Sequence, residues 1–221
     1  MTVIFVVGTI IFFLAVDFVV RKMKGEAILP AMQPVPHGQY PIRIPDGIFF
    51  AKSHTWVNLF PSGQIRLGVD DFVGRLLERP EITLLKKPGD SIRKGDPLML
   101  LKSASHVMTI RSPLEGDVVA VNEELPAHSE FLRNSLFDNG WGYVIKPGRL
   151  SEIKELLLGK EARAWVSSEF RRLRELLANI GNADAGELTF MQDGGLPAAG
   201  VLSSMDDETW KKFEQEFLQI Q

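Results

Sequence analysis

The residues best suited to chemistry lie together between two β-rich runs of the chain. Apolar residues dominate 97–101 and again 107–110, and Lys102, Ser105 and His106 lie between these runs. Two such runs joined by a small, polar tip predict a β-hairpin that displays its turn. A tip of this kind usually displays a functional group, and the identity of that group decides the function. A lone histidine without an acid or a nucleophile beside it is usually solvated, so His106 predicts no catalytic site.

The composition excludes several classes of function. The 221 residues carry a formal net charge of −3, which gives no basic field for nucleic-acid binding. The absence of cysteine excludes disulfides, cysteine-ligated zinc, iron–sulfur clusters and thiol catalysis. The histidines are single, without the spacing of metal ligands, at His37, His54, His106 and His128. The sequence therefore predicts no catalytic residue, no metal site and no small-molecule substrate.

The first 24 residues predict a single transmembrane anchor. Residues 2–20 form an apolar run that only Thr9 and Asp17 interrupt, and the basic run 21–24 follows at once. A helix of about 19 residues would be roughly 28 Å long, close to the thickness of a bilayer core. The segment lacks the charged start and the small-residue cleavage site of a secretory signal peptide. By the positive-inside rule, we expect the N-terminus outside the cytoplasmic (inner) membrane and the rest of the chain in the cytoplasm.

The elements that would position the hairpin form a mainly β region over residues 48–150. Before it, residues 25–47 are rich in proline, which forbids a helix and favours a semi-rigid spacer. Residues 70–77 have helical spacing and an acidic start. A weak internal echo relates the Gly-Asp turns at 88–92 and 115–119. Two such halves predict a small, quasi-symmetric β-sandwich or flattened barrel.

The remaining residues predict helices. Residues 151–181 predict a helical cap with a break at Gly159, and its arginines would form either a solvated face or a contact with anionic lipid. Residues 182–203 predict a flexible linker, and 204–221 an amphipathic terminal helix. An apolar stripe recurs on that helix at Trp210, Phe213, Phe217 and Ile220. The stripe would either pack on its own domain or bind a groove on a protein partner.

The middle of the chain resembles the H protein of the glycine cleavage system, a small lipoyl-bearing carrier. Residues 52–57 resemble the K-x-H-x-W strand of that family, and Trp165 takes the position of a tryptophan in its C-terminal helix. Further similar stretches follow in order at 66–72, 88–97, 110–122, 139–141 and 145–147. The resemblance covers about residues 48–170. It implies a mainly β fold, namely a lipoyl-type barrelled β-sandwich (barrel-sandwich hybrid), with C-terminal helices.

The chain departs from the family at the hairpin tip. The family motif reads E-S-V-K-A-x-S and carries lipoate on its lysine. In this chain Ser105 takes the position of that lysine, and Lys102 takes the position of the glutamate. Lipoate is attached through an amide to an amine, which a serine hydroxyl cannot supply. The comparison with the motif therefore implies a chain without lipoate, and no other cofactor is predicted. Lys102, three residues earlier, is the weaker alternative attachment site.

Three functions follow from these predictions. The favoured one is a non-lipoylated, non-enzymatic, H-protein-like structural or docking subunit at the cytoplasmic face of a membrane, with other protein subunits as partners. A tether would raise the effective concentration of such a subunit within one assembly. The alternative is a membrane-tethered lipoyl carrier that uses Lys102. A periplasmic adaptor of an export system fits less well, because such adaptors split the lipoyl halves around a long helical hairpin.

Overall fold

The computed structural model of the protein describes residues 43–181 and 200–218. All of them belong to one compact unit, which extends over residues 38–221. The predicted anchor, most of the two predicted linkers and Ile220 lie outside the described residues. Within the described ranges, no helix is both long enough and apolar enough to cross a bilayer. The transmembrane anchor therefore stays a prediction from the sequence.

Within the described residues, ten antiparallel strands form two sheets. The larger sheet contains β1 (Ile48–Ala51), β2 (Thr55–Leu59), β3 (Ile65–Val69), β5 (Ser91–Ile92), β8 (Gly116–Val121), β9 (Trp141–Pro147) and β10 (Leu157–Leu158). The smaller sheet contains β4 (Glu81–Leu84), β6 (Pro97–Ser103) and β7 (His106–Arg111). Their spatial orders are β10-β1-β2-β3-β9-β8-β5 and β4-β6-β7.

This topology corrects the predicted barrel. Among the described residues neither sheet closes on itself, and no strand of the smaller sheet pairs with a strand of the larger one. The described fold is therefore mainly β, with two open sheets. The two segments of the predicted echo pair with each other, but Gly116 and Asp117 lie within β8 and not in a turn. Ser91 of β5 lies opposite Asp117 of β8, and the Ser91 hydroxyl donates to the Asp117 carboxylate at 2.7 Å.

In the same part of the chain, four α-helices accompany the sheets. They are α1 (Asp71–Leu76), α2 (Phe131–Asn134), α3 (Gly159–Gly181) and α4 (Asp207–Phe217). Two short 3-10 helices lie at Leu150–Glu155 and Val201–Ser204. Asp70 caps α1, since its carboxylate accepts the amide of Val73 at 3.1 Å. Asp206 caps α4 in the same way through the amide of Thr209, at 2.7 Å. An acidic cap satisfies an amide that the first turn leaves free and suits the helix dipole.

The helical cap differs from its prediction at its start. The segment before Gly159 forms only a 3-10 turn followed by β10, because Leu157 and Leu158 pair with Phe50 and Phe49 of β1. Gly159 then adopts a φ of +56°, a left-handed conformation that glycine accepts without a steric penalty. The long helix α3 begins at this residue and runs to Gly181, as predicted.

The core lies between the two sheets and beneath the helices. Trp56 and Tyr143 of the larger sheet are fully buried, as are Leu98 and Leu101 of the smaller sheet and Phe72 of α1. Buried and exposed residues alternate along β7, which is the period of two of a strand with one face in the core. The hairpin β6–β7 is thereby anchored in the core and projects its turn outward.

Candidate functional site

The predicted hairpin is present, and its turn consists of Ala104 and Ser105. Strands β6 and β7 remain paired up to Ser103 and His106, which lie opposite each other. Ala104 has a φ of +52°, a conformation that glycine usually takes at the first position of such a turn. Both turn residues are exposed. The turn therefore displays a hydroxyl at Ser105, and this group does not fit the amide linkage by which lipoate is held.

Lys102 lies in the strand and not in the turn. It pairs with Glu81 of β4 on one side and with Val107 of β7 on the other, so its backbone belongs to the central strand of the smaller sheet. Its side chain is 54% exposed, and its Nζ lies 3.5 Å from Oε2 of Glu81. An amine is thus available at the surface near the tip, but the backbone of Lys102 is held between two neighbouring strands.

His106 is not the solvated histidine that the sequence predicts. Its side chain is only 8% exposed, because α4 covers it. The His106 ring stacks on Trp210, with 4.6 Å between ring centroids and 15° between planes. The His106 Nε2 atom lies 3.1 Å from Oδ1 of Asp207, in the first turn of the same helix. The prediction failed because the covering residues lie about 100 positions further along the chain.

The apolar stripe of α4 packs within its own domain. Trp210, Phe213 and Phe217 are all buried. The rings of Phe213 and Phe217 stack over Phe72 of α1, with centroid distances of 6.4 and 5.6 Å. Phe72 also meets the edge of Phe170 from α3 at 4.9 Å. The structure thus realises the first of the two predicted alternatives, and partner binding by these side chains would require α4 to leave the domain.

A second cluster, which sequence reasoning missed, surrounds His54. This side chain is fully buried between the rings of Phe72, at 4.4 Å, and Trp165, at 5.1 Å. Its Nδ1 atom lies 2.9 Å from Oδ2 of Asp70, the residue that caps α1. Its Nε2 atom has no hydrogen-bond partner among the described residues, and the nearest acid is Glu169, with Oε2 at 4.0 Å.

Arg172 connects this cluster to α4. Its Nη1 atom donates to both carboxylate oxygens of Glu169, each at 3.0 Å, and its Nη2 atom donates to the Glu216 carbonyl at 2.9 Å. The guanidinium carbon lies 4.8 Å from the centroid of the Phe217 ring. Because His54 and Glu169 are buried, the contacts from His54 through Glu169 to Arg172 hold α1, α3 and α4 together and offer no open reaction site.

The histidine motif contained a signal for this cluster. His54 belongs to the K-x-H-x-W stretch, and Asp70 follows 16 residues later at the end of the next strand of the same hairpin. Pairing β2 with β3 brings the two residues together, since Thr55 lies opposite Val69. The described part of the chain holds no group of three or more His, Cys, Asp or Glu side chains that could bind an ion.

Comparison with known proteins identifies the domain that these elements form. The sequence model of the family described as glycine cleavage H-protein matches residues 48–169. The chain belongs to this family. The match includes the hairpin tip, His54 and Glu169, whereas Arg172 and all of α4 follow it.

Several relatives carry the name glycine cleavage system H protein. The protein of Shewanella loihica is 31% identical over 126 residues, which are 57% of this chain and 98% of the relative. That of Halalkalibacterium halodurans is 28% identical with the same coverage. That of Hydrogenovibrio crunogenus is 36% identical over 114 residues, which are 52% of this chain and 88% of the relative.

A solved structure supports the fold of the matched region. The crystal structure of a glycine cleavage system H protein from Mycobacterium marinum superposes with a TM-score of 0.50 and 21% sequence identity. The superposition covers 56% of this chain and 99% of that protein. At this identity the likeness concerns the fold alone. The family assignment and the fold therefore agree.

Proposed function

We propose that the chain is a non-lipoylated, H-protein-like structural or docking subunit, tethered to the cytoplasmic face of a membrane and part of a membrane-associated protein complex. In this proposal it has no catalytic activity of its own. The observation that carries the proposal is the hairpin tip. Ser105 takes the position of the lipoyl lysine, and the adjacent His106 is covered by Trp210 and Asp207 of α4.

The cover over His106, beside the exposed turn, supports a fixed role more than a carrier role. An arm attached at a turn works by sweeping the space around that turn, so the neighbouring surface must be free. Here one side of the hairpin is occupied by an aromatic stack and an imidazole–carboxylate contact. Burial of Trp210, Phe213 and Phe217 opposes displacement of the helix that makes these contacts.

The predicted anchor supports the same conclusion. A carrier that must visit several enzymes gains little from a membrane tether. A subunit of one assembly gains an effective concentration of the order of millimolar when the tether is short. The relatives are named for a multi-protein system, which supports other protein subunits as the class of partner.

The proposal is tested by isolating the full chain from lipoate-replete cells. We expect it in the membrane fraction after an alkaline wash, because the anchor of residues 1–24 would hold it there. Intact-mass spectrometry should then give the unmodified mass, because Ser105 offers no amine. The Shewanella loihica relative, produced in the same cells, shows that the attachment machinery is active.

Two variants identify the cause if the mass or the membrane association differs from this expectation. A lipoyl adduct that disappears in Lys102→Arg would establish the alternative function, a membrane-tethered carrier that uses Lys102. Arginine keeps the charge near Glu81 but cannot form the amide. Deletion of residues 1–24 should release the chain from the membrane fraction, and retention of this variant would contradict the proposed tether.

A further inference from the structure

Helix α3 carries a row of basic side chains that have no partner among residues 43–181 and 200–218. We propose that Lys160, Arg163, Arg171 and Arg174 bind the headgroups of anionic lipids and lay α3 along the membrane surface. This inference rests on the proposed tether at the cytoplasmic face. It adds an orientation of the domain and a lipid class to that proposal.

The row follows from helical geometry. At about 100° per residue, the four side chains fall within an arc of roughly 80° and span about 21 Å along the helix. All four are exposed. The two exposed acids of α3, Glu161 and Glu175, fall outside this arc. The surface of the helix between Lys160 and Arg174 therefore presents cations without an interspersed acid of its own.

The structure separates these side chains from the other arginine of the segment. Arg172 donates hydrogen bonds to Glu169 and to the Glu216 carbonyl, so its guanidinium is engaged by contacts within the protein. Within residues 43–181 and 200–218, the four side chains of the row make no ion pair and no hydrogen bond, and the Ser167 hydroxyl meets only the backbone carbonyl of Arg163. They can approach an anionic surface without breaking a contact in the protein.

A lipid surface suits this row better than a dissolved polyanion. The net charge of −3 repels a polyanion from the chain as a whole, whereas a tether removes the cost of bringing one helix to the bilayer. The cytoplasmic leaflet is negatively charged, and each basic side chain near it strengthens binding about fivefold. Three such contacts would therefore change the ratio of membrane-apposed to free domain about 100-fold.

The test uses the absence of cysteine from the chain. The full chain with Ala164→Cys, an exposed site beside the row, is labelled with an environment-sensitive fluorophore and placed in nanodiscs. We expect a blue-shifted emission and quenching by a lipid-borne quencher with phosphatidylglycerol present, but not with phosphatidylcholine alone. High salt should reverse the change, since it screens exposed charges. A label at Ser62→Cys, in the β2–β3 turn, should report no change.

Matched charge variants decide the outcome. The triple variant Arg163→Gln, Arg171→Gln, Arg174→Gln should lose the response, whereas Lys87→Gln, Arg93→Gln, Arg133→Gln removes three exposed cations elsewhere and should keep it. Circular dichroism checks that both variants fold.

A chain that enters nanodiscs but gives the same signal in both lipids would overturn the lipid-binding role of the row and leave the proposed tether intact. A chain that does not enter nanodiscs would overturn both. Loss of an acidic protein partner with an unchanged lipid signal would show that the row binds protein instead.

Discussion

At the scale of the residue, Tyr143 links the two sheets through a single hydroxyl. This tyrosine belongs to β9 of the larger sheet, and its hydroxyl donates to the carbonyl of Leu98 in β6. The same oxygen accepts the amides of Leu85, at 3.0 Å, and Lys86, at 3.3 Å, just beyond β4. Burial raises the pKa of the phenol. The folded protein therefore favours the neutral form of Tyr143.

The substitution Tyr143→Phe should lower the free energy of unfolding by about 1–3 kcal/mol, because it removes the hydrogen bonds of a buried hydroxyl and leaves the Lys86 amide without its partner. The Leu85 amide still donates to the Leu98 carbonyl, at 2.8 Å. Denaturant unfolding of the full chain in detergent, followed by tryptophan fluorescence, measures the change. Thr83→Val removes an exposed hydroxyl from β4 and should change stability by less than about 0.5 kcal/mol. Equal stability of the two variants would contradict the bridging role.

The raised pKa of Tyr143 also determines how the stability that its hydroxyl contributes depends on pH. This stability contribution is complete below the ordinary tyrosine pKa of about 10 and is lost as the pH rises through the higher folded-state pKa. Wild-type protein should therefore lose stability above about pH 10, and Tyr143→Phe should lack that part of the loss.

Single residues were predictable where the chemistry is local. Ser105 could be recognised at the tip because the family motif places a lysine there and the sequence alone shows the substitution. The contact of His54 with Asp70 could have been predicted from the hairpin β2–β3, whereas Glu169 reaches His54 from a distant part of the chain and could not. The cover over His106 was missed for the same reason, since Trp210 belongs to a helix far along the sequence.

At the scale of the element, α4 depends on its cap and on its docking. An isolated helix of 11 residues is only marginally stable in water, so its contacts with the domain must supply most of its stability. Its cap, Asp206, has a lowered pKa, chiefly because its carboxylate accepts the backbone amide of Thr209. The capping contribution is therefore present above about pH 4, the ordinary aspartate range, and is lost as the pH falls through the lower folded-state pKa.

The substitution Asp206→Asn should remove this acid sensitivity while it keeps the helix, because asparagine also caps but carries no titrating charge. Hydrogen exchange of α4 peptides, compared between wild type and variant at each pH, should show protection falling with acid only in the wild type. Glu208→Gln, which alters an exposed residue of the first turn, should retain the wild-type response. An identical acid response in Asp206→Asn would place the titrating group elsewhere.

Elements were predictable where periodicity is strong. The terminal helix and its stripe follow from apolar spacing, and the helix at residues 71–76 follows from its acidic cap and spacing. The sequence predicts a helix at Leu157–Leu158, but the structure has a strand there. Pairing with β1 prevails over local helix propensity in so short a segment. Where α4 docks could not be derived, since periodicity identifies an apolar face but not the surface that buries it.

At the scale of the whole molecule, the family domain and α4 form one folded unit with unequal parts. The family match ends at residue 169, and the 126 residues of this chain that align with the Shewanella loihica relative already cover 98% of that protein. The β domain should therefore fold without α4, whereas α4 needs the domain. The resemblance predicted the mainly β fold. It did not predict the two open sheets, because strand order across sheets depends on long-range pairing that sequence periodicity does not encode.

Deletion of residues 204–221 should leave the far-ultraviolet circular dichroism of the sheets in place and uncover Phe72 and Phe170. We expect stronger binding of a hydrophobic dye. The free energy of unfolding should fall by an amount comparable to the loss of one buried phenylalanine, about 3–5 kcal/mol, because docking must also offset the ordering of the helix. Deletion of only 219–221 is the control. Loss of all folded structure in the longer deletion would show that α4 is an obligatory part of the core.

The pairing of Ser103 with His106 gives the hairpin two unlike faces. Side chains alternate along each strand, so His106 points to the side that α4 covers, whereas Lys102 and Val107 point to the opposite side and are exposed. The helix therefore closes one face of the hairpin and leaves the other face accessible. A protein that recognises Lys102 and Val107 could bind the exposed face of the hairpin while α4 remains docked on the opposite face.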